Sequence, residues 1–350
     1  MKLFAPFSAT VGATLATLLI QNSTHAIVAT DNAALNNRQV QPGQFSGVVA
    51  LQTYDPSAQL FNPFCTGSLL LGGQHILTAA HCLTKKDTSI VSPTLLNQPL
   101  FATFNLLNGL AQVPIQDLFI LPDWTGRLGE GNDLAVLSLL APAPATATQY
   151  DIYRNNDELG QTFTKVGYGR SGIGSIGATV RTSEQLLGFY GQNQFEATEA
   201  DRQSLLSFPG ISAAGSQLLY DFDNGNPSQN LIGTLGLGRN EVNTARGDSG
   251  GPAFIGDRIA GVTSYGVGDP GLRQPTDIDE EINSTFGELA GDTRVSTYAG
   301  FVDAVLAGNV APVDRNQATS VPEPSAVLGS IVLGAWWLKQ RKGLPSKREI

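Results

Sequence analysis

The chain has 350 residues, of which 41% are hydrophobic and 15% charged, with 39 glycines. That mix excludes a coiled coil and a charge-driven disordered chain, and a formal net charge of −9 speaks against a basic nucleic-acid-binding face. Two cysteines and three histidines (His25, His75 and His81) exclude cysteine-rich zinc modules and disulfide miniproteins. At the start, Met1-Lys2 leads into an uncharged, mostly apolar stretch from Leu3 to Ile20 that closes on Thr24-His25-Ala26. This pattern predicts a secretory signal peptide over 1–26, cut after Ala26. Ile27-Val28 would then open the mature chain.

Residues 27–308 show short apolar runs bounded by Gly, Pro, Asn and Asp: Val48–Leu51, Ser68–Leu71, His75–Leu77, Leu134–Leu137 and Ile259–Val262. Runs of this length at this spacing predict an all-β barrel or sandwich. Ala141-Pro142-Ala143-Pro144-Ala145 is a stiff connector that begins the passage between two halves, at about 27–150 and 160–308. One longer helix is expected from Tyr298 to Ala307, with apolar residues at 298, 301, 302, 305 and 306.

Three segments carry chemistry. The first runs Cys65-Thr66-Gly67-Ser68 to Leu77-Thr78-Ala79-Ala80-His81-Cys82; the second is Gly131-Asn132-Asp133-Leu134-Ala135; the third is Gly247-Asp248-Ser249-Gly250-Gly251-Pro252. Glycines around Ser249 allow a tight turn that exposes its hydroxyl. A serine hydroxyl becomes a nucleophile when a base takes its proton. The base is normally an imidazole oriented by a carboxylate. Backbone N–H groups at Gly247 and Ser249 could cradle the developing oxyanion. The third segment also satisfies Gly-x-Ser-x-Gly, but that elbow needs a histidine after the serine, and none follows Ser249. The available order is histidine, aspartate, serine.

Thr78-Ala79-Ala80-His81-Cys82 and Gly247–Pro252, in this order, resemble the trypsin/chymotrypsin family of serine proteases. The resemblance covers roughly 27–308 and implies two packed six-stranded antiparallel barrels with the active site between them, followed by a C-terminal helix. It implies His81 as general base, Asp133 as its orienting acid, Ser249 as nucleophile, and Gly247 and Ser249 as oxyanion hole. It also implies a Cys65–Cys82 disulfide, consistent with export. In the family a new Ile-Val terminus pairs its ammonium with the aspartate before the nucleophile, which points to Ile27 and Asp248. Signal peptidase would then make the activating terminus, although the segment from Ile27 to Phe45 is longer than the family's spacing. By the resemblance, Asn243 is the floor of the primary pocket, a neutral one that would not compensate a buried basic side chain. Ser264, Tyr265 and Gly266 match the strand edge that pairs with substrate backbone. Ala245 replaces a bracing cysteine, and an insertion after Gly266 carries Asp269, Asp277, Asp279, Glu280 and Glu281, of which Asp269 could charge the pocket from the side.

Weaker signals remain. Gly167-Tyr168-Gly169-Arg170-Ser171-Gly172 matches a dinucleotide fingerprint without the helix that motif needs. Asp221-Phe222-Asp223-Asn224-Gly225-Asn226 resembles the start of a calcium loop but has Ile232 at the twelfth position, and reads as a turn. No cofactor and no metal site is expected.

After a linker at 309–320, Val321-Pro322-Glu323-Pro324 precedes the apolar stretch Ser325–Leu338 and the basic residues Lys339, Arg341, Lys342, Lys347 and Arg348. The stretch is shorter than the roughly 17–25 residues of a spanning helix. This order over 321–350 resembles bacterial PEP-CTERM sorting tails, which implies transient membrane contact and processing by an exosortase. The whole reads as an exported endopeptidase, secreted or at the cell surface, acting on peptide or protein substrates and not on nucleic acid. A catalytically idle surface protein that uses the same fold to bind partners is the competing reading.

Overall fold

The computed structural model describes residues 27–180, 186–206, 215–269, 271–279 and 281–314. The expected signal peptide, the sorting tail and Glu280 lie outside the described residues. A short strand β1, Ile27–Ala29, opens the chain. Six strands follow: β2 (Val48–Asp55), β3 (Leu60–Leu69), β4 (His75–Thr78), β5 (Leu100–Leu106), β6 (Gly109–Ile120) and β7 (Ala135–Leu139). They close into a barrel in the order β2-β3-β4-β7-β6-β5. Val49, Leu51, Leu69, Ile76, Leu77, Phe104, Leu118 and Val136 fill it, all fully buried. Burying this much apolar side chain is what drives closure, at about 1.5–3 kcal/mol for each large aliphatic or aromatic group.

The second half contains β8 (Asp151–Ile152), β9 (Thr162–Gly167), β10 (Ser171–Ile173), β11 (Gly177–Val180), β12 (Phe189–Gln194), β13 (Ala197–Thr198), β14 (Gln217–Asp221), β15 (Val242–Asn243), β16 (Pro252–Ile255), β17 (Arg258–Val267) and β18 (Leu289–Arg294). Its main sheet runs β12-β9-β16-β17-β18-β14-β13, with β8 on β17. The resemblance implied a second closed barrel, and here the finding differs: among the described residues the two edge strands do not pair with each other, and the sheet forms a half-barrel. Phe195 and Glu196 instead carry the chain from one edge strand, β12, to the other, β13. Phe195 is fully buried and stacks on Phe163, ring centroids 4.1 Å apart, beside Tyr220. Backbone hydrogen bonds run on through the corner, from the Phe195 N–H to the Gln161 carbonyl at 3.1 Å and from the Glu196 N–H to the Leu219 carbonyl at 2.9 Å.

Two further differences concern the connections. The proline-rich segment 141–145 is strapped to the first barrel rather than free: Ala143 donates to the Gly73 carbonyl. Just beyond it, a Cβ on Gly47 would meet the Thr148 carbonyl oxygen at 1.7 Å, so the close approach there requires glycine. Strand β1 does not join the first barrel. It lies between β10 and β15 in a small four-stranded sheet of the second half, with Ile27, Val28 and Ala29 all buried. Ile27 holds a backbone φ of +68°, a region that β-branched residues avoid. The helix Ala299–Leu306 matches the expected one to within a residue at each end and buries Val302 and Val305. Among the described residues no helix is long and apolar enough to cross a membrane.

Candidate active site

Each motif arrives at the junction of the halves by its own local device. His81 sits in a single 3-10 turn, Ala80–Cys82, directly after β4. Cys82 of that turn is bonded to Cys65 of β3, as the resemblance implied. A bridge closing a loop of this size contributes roughly 3 kcal/mol in the chain-entropy model. The His81 ring and both sulfurs lie within 4.8 Å of one another, but the sulfurs are committed to the disulfide and the trio is not a metal site. Asp133 follows Asn132, whose left-handed φ of +62° suits an asparagine. The Tyr298 hydroxyl fixes that turn by donating to Asn132 Oδ1 at 2.8 Å and accepting from its N–H at 3.1 Å.

Asp133 is fully buried and is met by three donors. His81 approaches with Nδ1 at 2.7 Å from Oδ2 and gives its backbone N–H to Oδ1 at 2.8 Å; Ser264 donates its hydroxyl to Oδ2 at 2.6 Å. Burial works against an imidazolium at His81, but the charge of Asp133 and its hydrogen bond outweigh it, and the histidine pKa is raised above its usual value. The side chain keeps about a quarter of its surface exposed, so it can still exchange a proton with a bound molecule.

Ser249 lies in a turn flanked by Gly247 at φ +103° and Gly250 at φ +80°. A Cβ on Gly250 would meet Thr78 Oγ1 at 2.1 Å, so only glycine lets this turn press against the His81 segment. Thr66 of the first barrel donates its N–H to the Ser249 carbonyl at 2.8 Å, and Cys82 Sγ stands 3.6 Å from that same oxygen. The Ser249 hydroxyl has no hydrogen-bond partner among the described residues, so the serine–histidine link is not closed. In an unliganded site such bonds often tighten only around substrate. The N–H groups of Gly247 and Ser249 likewise donate to nothing among the described residues.

Asp248 is fully buried. It accepts from Gly169 N–H at 2.9 Å, from Ala245 N–H at 2.8 Å and from the Ile27 backbone. Burial pushes its carboxyl up to about 7, against the pull of these donors and of Lys165. The Gly167-Tyr168-Gly169 segment therefore cradles Asp248.

A cavity of about 250 Å³ beside Ser249 is lined by Thr244, Ala245, Ser264, Gly266, Ile282 and Glu288, among others. Asn243 is not in that lining. It is buried in β15 opposite Val28, with its Oδ1 taking the Thr244 N–H. The residue missed from sequence is Glu288. Its Oε1 accepts the N–H groups of Asn283, Ser284 and Thr285 at 2.8, 2.6 and 3.0 Å. Its Oε2 lies toward Gly266 and has no hydrogen-bond partner among the described residues. Burial pushes this carboxyl up to about 7, against those three donors. The one available signal was an acid just ahead of the strand that ends Thr293-Arg294. Asp269, expected near the pocket, spends its N–H on Asp277 within the insertion. Tyr265 is buried and Gly266 exposed on β17, the strand edge next to the cavity.

A closed six-stranded barrel and a second half-barrel that meet at the buried Asp133, the half-buried His81 and the half-buried Ser249 define a chymotrypsin-like fold. A family model described as Trypsin matches residues 34–279, and the chain belongs to that family. It is 27% identical over 219 residues to the trypsin Tyr p 3.0101 of Tyrophagus putrescentiae, covering 61% of this chain and 66% of the mite protein. A trypsin of Saccharopolyspora erythraea is 24% identical over 208 residues, covering 59% and 76%. Among solved structures, neuropsin, a serine protease expressed in the limbic system of mouse brain, shares the fold at a TM-score of 0.52 and 16% identity. The match covers 77% of this chain and 98% of that one.

Proposed function

We propose that the protein is an exported serine endopeptidase that cleaves peptide bonds through an acyl-enzyme on Ser249. The observation that carries this reading is the buried Asp133 with His81 Nδ1 at 2.7 Å, set beside a serine turn in which the N–H groups of Gly247 and Ser249 donate to nothing among the described residues. In the reaction, Ser249 Oγ attacks the scissile carbonyl carbon and its proton passes to His81 Nε2. Asp133 holds the imidazole in the tautomer that leaves Nε2 open and stabilises the imidazolium that forms. The N–H groups of Gly247 and Ser249 receive the oxyanion, each worth ~2.7–4 kcal/mol of transition-state stabilisation. The C–N bond then breaks, and His81 returns the proton to the departing amine. Water, deprotonated by His81, attacks the acyl carbon, and the acid product leaves with Ser249 restored.

Ser264, Tyr265 and Gly266 pair with the substrate backbone as an added strand. Glu288 brings a carboxyl to the cavity and Arg246, exposed to solvent, lies on its rim; with Glu288 the more deeply buried of the two, a lysine or arginine side chain is the favoured occupant. Ile27 is the mature first residue, cut by signal peptidase, and its ammonium pairs with Asp248. The tail at 321–350 is a PEP-CTERM-like sorting signal that touches the membrane and meets an exosortase, which leaves the enzyme secreted or at the cell surface.

A fluorophosphonate probe tests the chemistry. A form verified to begin at Ile27 is expected to be labelled, and Ser249→Ala is expected not to be. Absence of labelling in both would sink the enzyme reading in favour of an idle binding protein.

A further inference from the structure

Four carboxylates converge on the far side of the segment that leads to Ser249. Asp221 ends β14, and Asp223 stands two residues on, so extended backbone sends both to the same side. Phe222 points the other way and packs on Phe286, ring centroids 4.7 Å apart. Glu196, from the corner between β12 and β13, lies within hydrogen-bonding reach of Asp221. Glu241, just before β15, accepts the Asp223 N–H at 2.7 Å.

The loop between Asp223 and Glu241 is laid over these acids. Leu231 and Ile232 give N–H groups to Asp221 Oδ2, Thr234 gives one to Glu196, and Leu237 gives one to Glu241. A Cβ on Gly233 would meet Glu196 Oε1 at 2.2 Å, and one on Gly236 would meet Glu241 Oε2 at 1.7 Å. The wrapping is therefore close, and it still leaves three oxygens unserved. Among the described residues Asp221 Oδ1 and both oxygens of Asp223 are buried without a hydrogen-bond partner, and both residues are only 1% exposed. The charges acting on Asp221, Asp223 and Glu241 all come from other acids. Burial and mutual repulsion push Asp223 up to about 8 and Glu241 to about 7, with Asp221 raised further. A buried carboxylate without a donor or counter-ion carries a large penalty.

We propose that this cluster is a calcium site, with Asp221 and Asp223 as its principal ligands and Glu196 and Glu241 beside them. An all-oxygen set without histidine or cysteine suits a hard cation, and calcium tolerates the irregular geometry that a loop provides. An ion held there braces the chain between β14 and β15, and so the passage from Glu241 to the serine turn.

Calorimetric titration of the chelator-treated protein with CaCl2, with thermal melting in parallel, tests the site. The expected result is one calcium per chain and a Tm raised by about 5 °C at ~100-fold excess over Kd. Asp223→Asn and Asp221→Asn are expected to melt no lower than the calcium-free wild type and to lose the response. Asp279→Asn, in the acidic insertion, is expected to keep it. No uptake by the wild type would mean that the acids share protons instead, and the proposal fails. It fails equally if both Asn variants retain the calcium response, or if Asp279→Asn alone removes it.

Discussion

Glu288 and Asn243 show how a pocket can move its charge from one residue to another. Counting back from Ser249 leads to Asn243, but the side chain there is occupied with its own neighbour's N–H. Among the described residues the only carboxylate in the cavity lining comes from another loop, held by three N–H groups on one oxygen with the other left over. Glu288→Gln is expected to lower kcat/KM for lysine and arginine substrates by roughly 100-fold, about 3 kcal/mol, and to leave neutral substrates nearly unchanged. Peptide-library profiling of the two proteins reads this directly. Equal losses across all substrates would mean that Glu288 only shapes its loop. The residues of the His81, Asp133 and Ser249 motifs were legible because each needs a fixed residue type within a few positions. Glu288 was not, because it reaches the cavity through an insertion whose course has no short-range signature.

At the scale of elements, the second sheet is organised around an ion pair inside its core. Lys165 of β9 places Nζ 2.5 and 2.6 Å from the two oxygens of Asp292 on β18, and 2.8 Å from Thr263 Oγ1 on β17. Both residues are essentially inaccessible. Burial lowers the lysine pKa and raises that of the aspartate, so desolvation outweighs attraction on each side. Removing one partner strands the other, so Lys165→Met is expected to cost about 3–5 kcal/mol in urea unfolding, and Lys165→Met/Asp292→Leu is expected to recover most of it. A single variant no worse than the double would show that the pair is not coupled. Strand existence was legible here from short apolar runs. The bent closure through Phe195 and the charged core were not, since a lone lysine and a lone aspartate 127 residues apart look like surface residues in sequence.

Across the whole molecule, the first strand and the serine turn are linked. Ile27 in β1 reaches Asp248, next to the serine, so the state of residue 27 is felt at the site. In the uncut chain Asp248 has a carboxyl raised to about 7 by burial. A raised acid gives stability that is complete below its unfolded pKa, near 3.8, and is lost as pH climbs through 7. The uncut form is therefore expected to lose more Tm between pH 5 and pH 8 than the form that begins at Ile27, where an ammonium offsets the charge. Equal losses in the two forms would argue against that pairing. There is also a mechanical side to the same residue. A φ angle exists only where a preceding carbonyl carbon is attached, and at Ile27 it is held at +68°. Strain of this kind is of order 1–3 kcal/mol. Hydrolysis of the 26–27 bond would abolish the torsion itself, so resealing would have to restore a conformation that isoleucine resists. Maturation at this bond would then act as a one-way latch set by the backbone, independent of any charge.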